Sequence, residues 1–112
     1  MPGTVVLVNN YGMGNADEIL RLNLMGKYLG LLSQCEPQPN AICFYTEGVK
    51  LVCEGSPVLD KLQALESKGV RLIVCSTCLN YYSLEGKVNV GIVGGMPDIL
   101  EAQIKAEKVI TL

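Results

Sequence analysis

Histidine is absent from the 112 residues. That removes the usual neutral-pH general base and the commonest metal ligand, so Ser-His-Asp, Cys-His and HExxH chemistries are excluded within one chain. Tryptophan is absent too, and aromatics make up only 5% of the sequence. Neither sign of charge dominates: nine Lys plus Arg against eleven Asp plus Glu leave a net charge of -2. Without a basic block to neutralise phosphates, nucleic acid is not an expected partner. No apolar run approaches the roughly 20 residues of a membrane-spanning helix, so no membrane association is expected. Met1 to Asn10 lacks the basic start and long apolar region of a signal peptide.

Sulfur is plentiful, with cysteines at positions 35, 43, 53, 75 and 78. The odd count and uneven spacing do not describe a secreted disulfide scaffold, so reduced thiols and a cytoplasmic location are expected. A chain that is 49% hydrophobic and 18% charged is read as a single domain, residues 1–112, built around one core.

Thr4 to Val8 is a short β-branched run with the pattern of a strand buried on both faces. A loop, Asn9 to Asn15, leads into a helix over Asp17 to Gln34, with Asp17 and Glu18 where the helix dipole favours them. After Pro37 and Pro39 the pattern predicts a strand over Ala41 to Thr46 and a connecting segment from Gly48 to Gly55. Ser56 caps a helix that starts on Pro57 and stops at Lys68-Gly69. Arg71 to Val74 reads as a strand, Thr77 to Leu84 as a short helix and Lys87 to Val93 as a strand. A helix over Pro97 to Glu107 and a strand over Lys108 to Leu112 complete the chain.

Strands alternating with helices at this period argue for an α/β fold, a three-layer α/β/α arrangement around a five-stranded, mostly parallel sheet. The flavodoxin-like order 2-1-3-4-5 fits that count. It sets the loop after strand three, Cys75-Ser-Thr-Cys78, beside the loop Asn9 to Asn15, across the crevice at the strands' carboxyl ends.

A thiol at a strand end and helix N-terminus is expected to have a lowered pKa and to act as a nucleophile. Cys75 and Cys78 are therefore the candidate catalytic pair, their spacing allowing attack by one sulfur and resolution by the other. Burial of both as small hydrophobes is the competing reading. With no second CxxC and no His, neither a metal nor another cofactor is expected. Structural roles are expected for Cys35 and Cys43 and favoured for Cys53. The glycine loop matches neither GxGxxG nor a Walker loop, although its amides could hold a small anion. Asn10, Gly12, Gly14, Lys50, Ser76, Thr77 and Met96 are the candidate substrate-binding residues. The apolar arc of the helix over Asp17 to Gln34 is wider than one sheet requires, which fits either an interface with another subunit or burial in a small core.

Glu47-Gly-Val-Lys-Leu, Glu54-Gly-Ser and Gly69-Val-Arg-Leu-Ile-Val-Cys-Ser-Thr-Cys-Leu-Asn-Tyr-Tyr82, with Met96 before the last helix, resemble the DsrE/DsrF-like family. Within it the resemblance is to the C-terminal domain of the YedF-type, sulfurtransferase-like selenium metabolism proteins. It implies a three-layer α/β/α fold, homo-oligomerisation, and a cysteine that accepts sulfane sulfur as a persulfide. Cys75 matches the family's acceptor position and Cys78 the second cysteine of the YedF-type motif; Ser76 stands for the usual Gly and Asn80 for the usual Asp. YedF-type proteins also carry a TusA-like domain with a Cys-Pro motif, which this sequence lacks, so the sulfur donor or acceptor is expected on another chain. The leading expectation is a sulfur carrier or sulfurtransferase in which Cys75 accepts and Cys78 resolves or shares the sulfur. The alternatives are a non-catalytic binding or assembly module, predicting inert thiols, and a dithiol redox protein, predicting a reversible disulfide.

Overall fold

The computed structural model describes all 112 residues. Five strands, β1 (Thr4–Val8), β2 (Ala41–Phe44), β3 (Arg71–Cys75), β4 (Ile92–Gly94) and β5 (Lys108–Thr111), form one sheet. All of its pairings are parallel. Four α-helices lie between them: α1 (Glu18–Leu32), α2 (Leu59–Ser67), α3 (Ser76–Tyr81) and α4 (Met96–Lys105), with a 3-10 helix over Thr46–Val52.

The α/β class and the five parallel strands agree with the pattern, but the order is β4-β3-β2-β1-β5 rather than 2-1-3-4-5. Each connection from β1 to β4 steps the same way along the sheet. With right-handed crossovers, α1, α2 and α3 must share one face. The return from β4 to β5 runs the opposite way, so α4 covers the other face, where it packs on β3 and β4. The chain's direction reverses between β1 and β5, and β2 separates β1 from β3. The crevice expected beside Cys75 is therefore not at the switch point.

β1 and β2 are buried along their whole length, as their apolar, β-branched sequences require. Their side chains alternate between the two helical layers and join Met25, Leu29, Leu62, Leu65 and Ile99 in one core. Asp17 caps α1 as expected, its carboxylate accepting from the Leu20 amide at 2.9 Å. Three local expectations fail. Gly48 to Gly55 is largely helical; α2 begins at Leu59, because Ser56 instead accepts from the Val58 amide in a tight turn at 3.2 Å. The fourth strand shrinks to three residues because the segment before it pairs elsewhere, through an antiparallel bridge between Cys53 and Val88.

Candidate functional site

Cys75 is the last residue of β3 and caps α3, which places Cys78 in the first turn of that helix. Both thiols are free, and Cys75 is close enough to perturb the Cys78 thiol. Their exposure differs sharply: Cys75 is only 1% exposed, whereas Cys78 is half-buried and opens to solvent.

The Cys78 sulfur accepts a hydrogen bond from the main-chain amide of Thr46 at 3.0 Å. Thr46 lies just beyond β2, the strand next to β3. Its backbone is left-handed, with φ 47°, a conformation a β-branched residue rarely adopts. The Thr46 hydroxyl lies 2.5 Å from the Asn9 carbonyl and 2.7 Å from the Tyr45 carbonyl and shares its proton between them, bringing the loop after β1 to the residue that faces Cys78. Three neighbouring strand ends thus meet at one sulfur through Thr46. This contact, rather than the predicted adjacency of strands one and three, joins the Asn9 loop to the cysteines.

The electrostatics depart from the expected depressed thiol. Burial pushes the Cys78 thiol above its ordinary value, the Thr46 amide pulls it down, and neighbouring Cys75 pushes it up again. The short α3 offers little dipole to reverse this, since it has only six residues.

Within the loop, Asn10 donates to the Gly14 carbonyl at 3.1 Å and its side-chain oxygen accepts from the Tyr11 amide at 2.8 Å. The Gly12 and Met13 amides donate to the Asn10 and Arg21 carbonyls, both at 2.9 Å. The Tyr11, Gly12 and Met13 amides are therefore already partnered, and Asn10 and Gly12 shape the turn. Gly14 is exposed. Lys50 pairs with Glu47 at 3.0 Å and lies over the Tyr82 ring, 4.5 Å from its centre. It lines a cavity of about 340 Å³ with Tyr11, Cys53 and Tyr82. Ser76 and Thr77 are exposed at the start of α3, and Met96 is half exposed where α4 begins, beyond the end of β4.

The other cysteines are held structurally. Cys43 is fully buried, and burial pushes its thiol up to about 11. Cys53 is buried and donates to the Val49 carbonyl at 3.2 Å, its thiol pushed up by burial and by Glu54. Cys35, at the end of α1, donates to the Leu31 carbonyl at 3.7 Å. Reading the sequence missed Thr46, which it assigns to the end of β2. Nothing local marks a threonine for left-handed backbone.

The profile of the DsrE/DsrF-like family matches residues 3–112. The chain belongs to that family. As a DsrE/DsrF-like protein it also shares its fold with several solved structures. The ychN protein from E. coli superposes with a TM-score of 0.71 at 17% identity, covering 97% of this chain and 98% of that one. MTH1491 from Methanobacterium thermoautotrophicum gives 0.70 at 21% identity, with 97% of each chain covered. BT1422 from Bacteroides thetaiotaomicron gives 0.64 at 16% identity, covering 98% and 95%. At these identities the likeness is one of fold. A search of curated proteins finds no significant match.

Proposed function

We propose that this DsrE/DsrF-like protein is a sulfur carrier of the YedF type that holds sulfane sulfur as a persulfide on the Cys75–Cys78 pair. The observation that carries the reading is a solvent-reachable thiol beside a second free thiol, with a main-chain N–H directed at its sulfur. A thiolate of the pair attacks the outer sulfur of a donor persulfide. The donor's S–S bond breaks, the donor leaves as a thiol carrying the proton the cysteine gave up, and the outer sulfur stays on the protein. Attack by an acceptor thiolate reverses these steps, so neither direction needs an external oxidant or reductant.

The partner under this reading is a protein thiol on another chain, of the TusA-like kind, in the cytoplasm, where thiols stay reduced. Selenium in place of sulfur would follow the same chemistry. Self-association belongs to the proposal as well. Ile19, Leu20, Leu24 and Leu31 lie exposed on α1, as do Met96, Leu100 and Ile104, one per turn, on α4.

The test is incubation of the reduced protein with a persulfide donor, followed by intact mass on the wild type, Cys75→Ser and Cys78→Ser. Gain of sulfur mass that depends on the pair is expected. No gain, or a gain abolished only when some other cysteine is replaced, refutes the carrier. The adjacency of the thiols favours one second reading, dithiol redox. In it Cys75 attacks the inner sulfur of a Cys78 persulfide, hydrosulfide leaves, and a Cys75–Cys78 disulfide remains to be reduced by an external thiol. Release of sulfide on loading separates it from stable carriage.

A further inference from the structure

We propose that Cys78 is the thiol that takes up the sulfur, and that the main-chain amide of Thr46, aimed by the Thr46 hydroxyl, stabilises the charge on it. This assignment rests on the sulfur-carrier reading and reverses the roles that the family resemblance implies, in which Cys75 is the acceptor. Cys75, at 1% exposure, is shielded from a donor, whereas Cys78 opens to solvent beside the exposed Thr46.

Three observations converge on the amide. It lies 3.0 Å from the Cys78 sulfur, a short contact for a sulfur acceptor. The residue carrying it holds φ 47°, where a β-branched side chain is strained. The hydroxyl, set between the Asn9 carbonyl at 2.5 Å and the Tyr45 carbonyl at 2.7 Å, holds it in that conformation. Glycine would adopt the backbone without strain but would lack the hydroxyl, so threonine keeps the strain together with the tether.

When Cys78 attacks, negative charge is on its sulfur before the donor's S–S bond breaks. A fixed N–H at the sulfur favours the thiolate over the thiol and so raises the share of Cys78 that can attack. The groups facing Cys78 leave the amide as the main opposing influence to burial. Cys75, on β3, pushes the thiol up. The 3-10 helix brings Lys50 already paired with Glu47, and α3 itself carries no charged side chain.

The experiment has two arms, both on the full chain. In the first, the wild type is loaded with glutathione persulfide and the added sulfur is located by fragment mass spectrometry. Sulfur on Cys78 is expected. Sulfur on Cys75 overturns the assignment while leaving the carrier intact, and sulfur on neither refutes the carrier itself. In the second, iodoacetamide labelling of Cys78 is followed against pH in Thr46→Val, Thr46→Gly and Thr46→Ser. Val and Gly are expected to slow labelling near pH 8 by about threefold to tenfold and to move the profile to higher pH, with Ser close to wild type. Gly is at ease at this φ, so its variant folds even if Val does not. Wild-type profiles in the Gly variant, or failure of Ser to restore the profile, overturn the role of Thr46 whatever the first arm shows.

Discussion

Gly48 lies so close to the end of β1 that a methyl group there would stand 2.2 Å from the Val8 carbonyl oxygen and 2.8 Å from its carbon. Both are backbone atoms of a buried strand, and the same oxygen accepts from the Tyr45 amide at 3.1 Å. No side chain can swing aside to make room, so Gly48→Ala must push the 3-10 helix away from the sheet. Overpacking of this kind costs about 3 kcal/mol, and the gain from stiffening the unfolded chain offsets less than about 1 kcal/mol. The net loss of about 2–3 kcal/mol lowers Tm by about 8–13 °C for a domain of this size. Because Thr46 stands two residues before Gly48, the amide at Cys78 is displaced with it, and Cys78 alkylation at pH 8 slows. The paired control is Gly69→Ala. Gly69 has φ 93° with nothing within 4 Å of an added methyl, so only the left-handed penalty of about 1–2 kcal/mol applies and Cys78 labelling stays at the wild-type rate. Thermal melting and Cys78 labelling of the two variants decide the matter. A Gly48→Ala protein that melts with the wild type, or one that loses stability without any change at Cys78, refutes the reasoning.

Native-state alkylation at neutral pH is expected to label Cys78 and Cys35 and to spare Cys43 and Cys53 until the protein unfolds. Labelling of Cys43 at the rate of Cys78 in folded protein would contradict the burial of β2. Stability should fall as pH rises past the ordinary thiol value. Cys43 is held up to about 11 from 9.0, so the folded state keeps a proton that the unfolded state has lost. Between those values Cys43 alone removes about 2–3 kcal/mol, and urea midpoints of the wild type should converge on those of Cys43→Ala; a flat difference between them from pH 9 to 11 defeats this. Ile104→Glu, at a position 72% exposed on α4, should lower the mass seen by light scattering while leaving circular dichroism unchanged. An unaltered mass would remove α4 from the proposed self-association surface.

Much of this was legible in the residues. Thr4 to Val8 and Arg71 to Val74 announce themselves as strands because β-branched runs suit a sheet covered on both faces. Asp17 announces the start of α1 because a carboxylate there satisfies an orphan amide. The CxxC after the third strand and the motif around Gly48 point to the DsrE/DsrF-like family, and the structure supplies the reason for that glycine in its contact with the Val8 carbonyl.

What the sequence by itself determined was local: which stretches form strands and helices, which faces are apolar, and that two thiols stand three residues apart at a strand end. The tertiary structure alone decided the order β4-β3-β2-β1-β5, since strand neighbours follow from which face each crossover helix covers, and that depends on the whole chain. It also decided which cysteine opens to solvent. Cys75 and Cys78 differ because the sheet and its helices close over the first, while the second turns toward the end of β2. There Thr46, a residue with no propensity for its backbone conformation, is held by the Asn9 carbonyl from a third strand end.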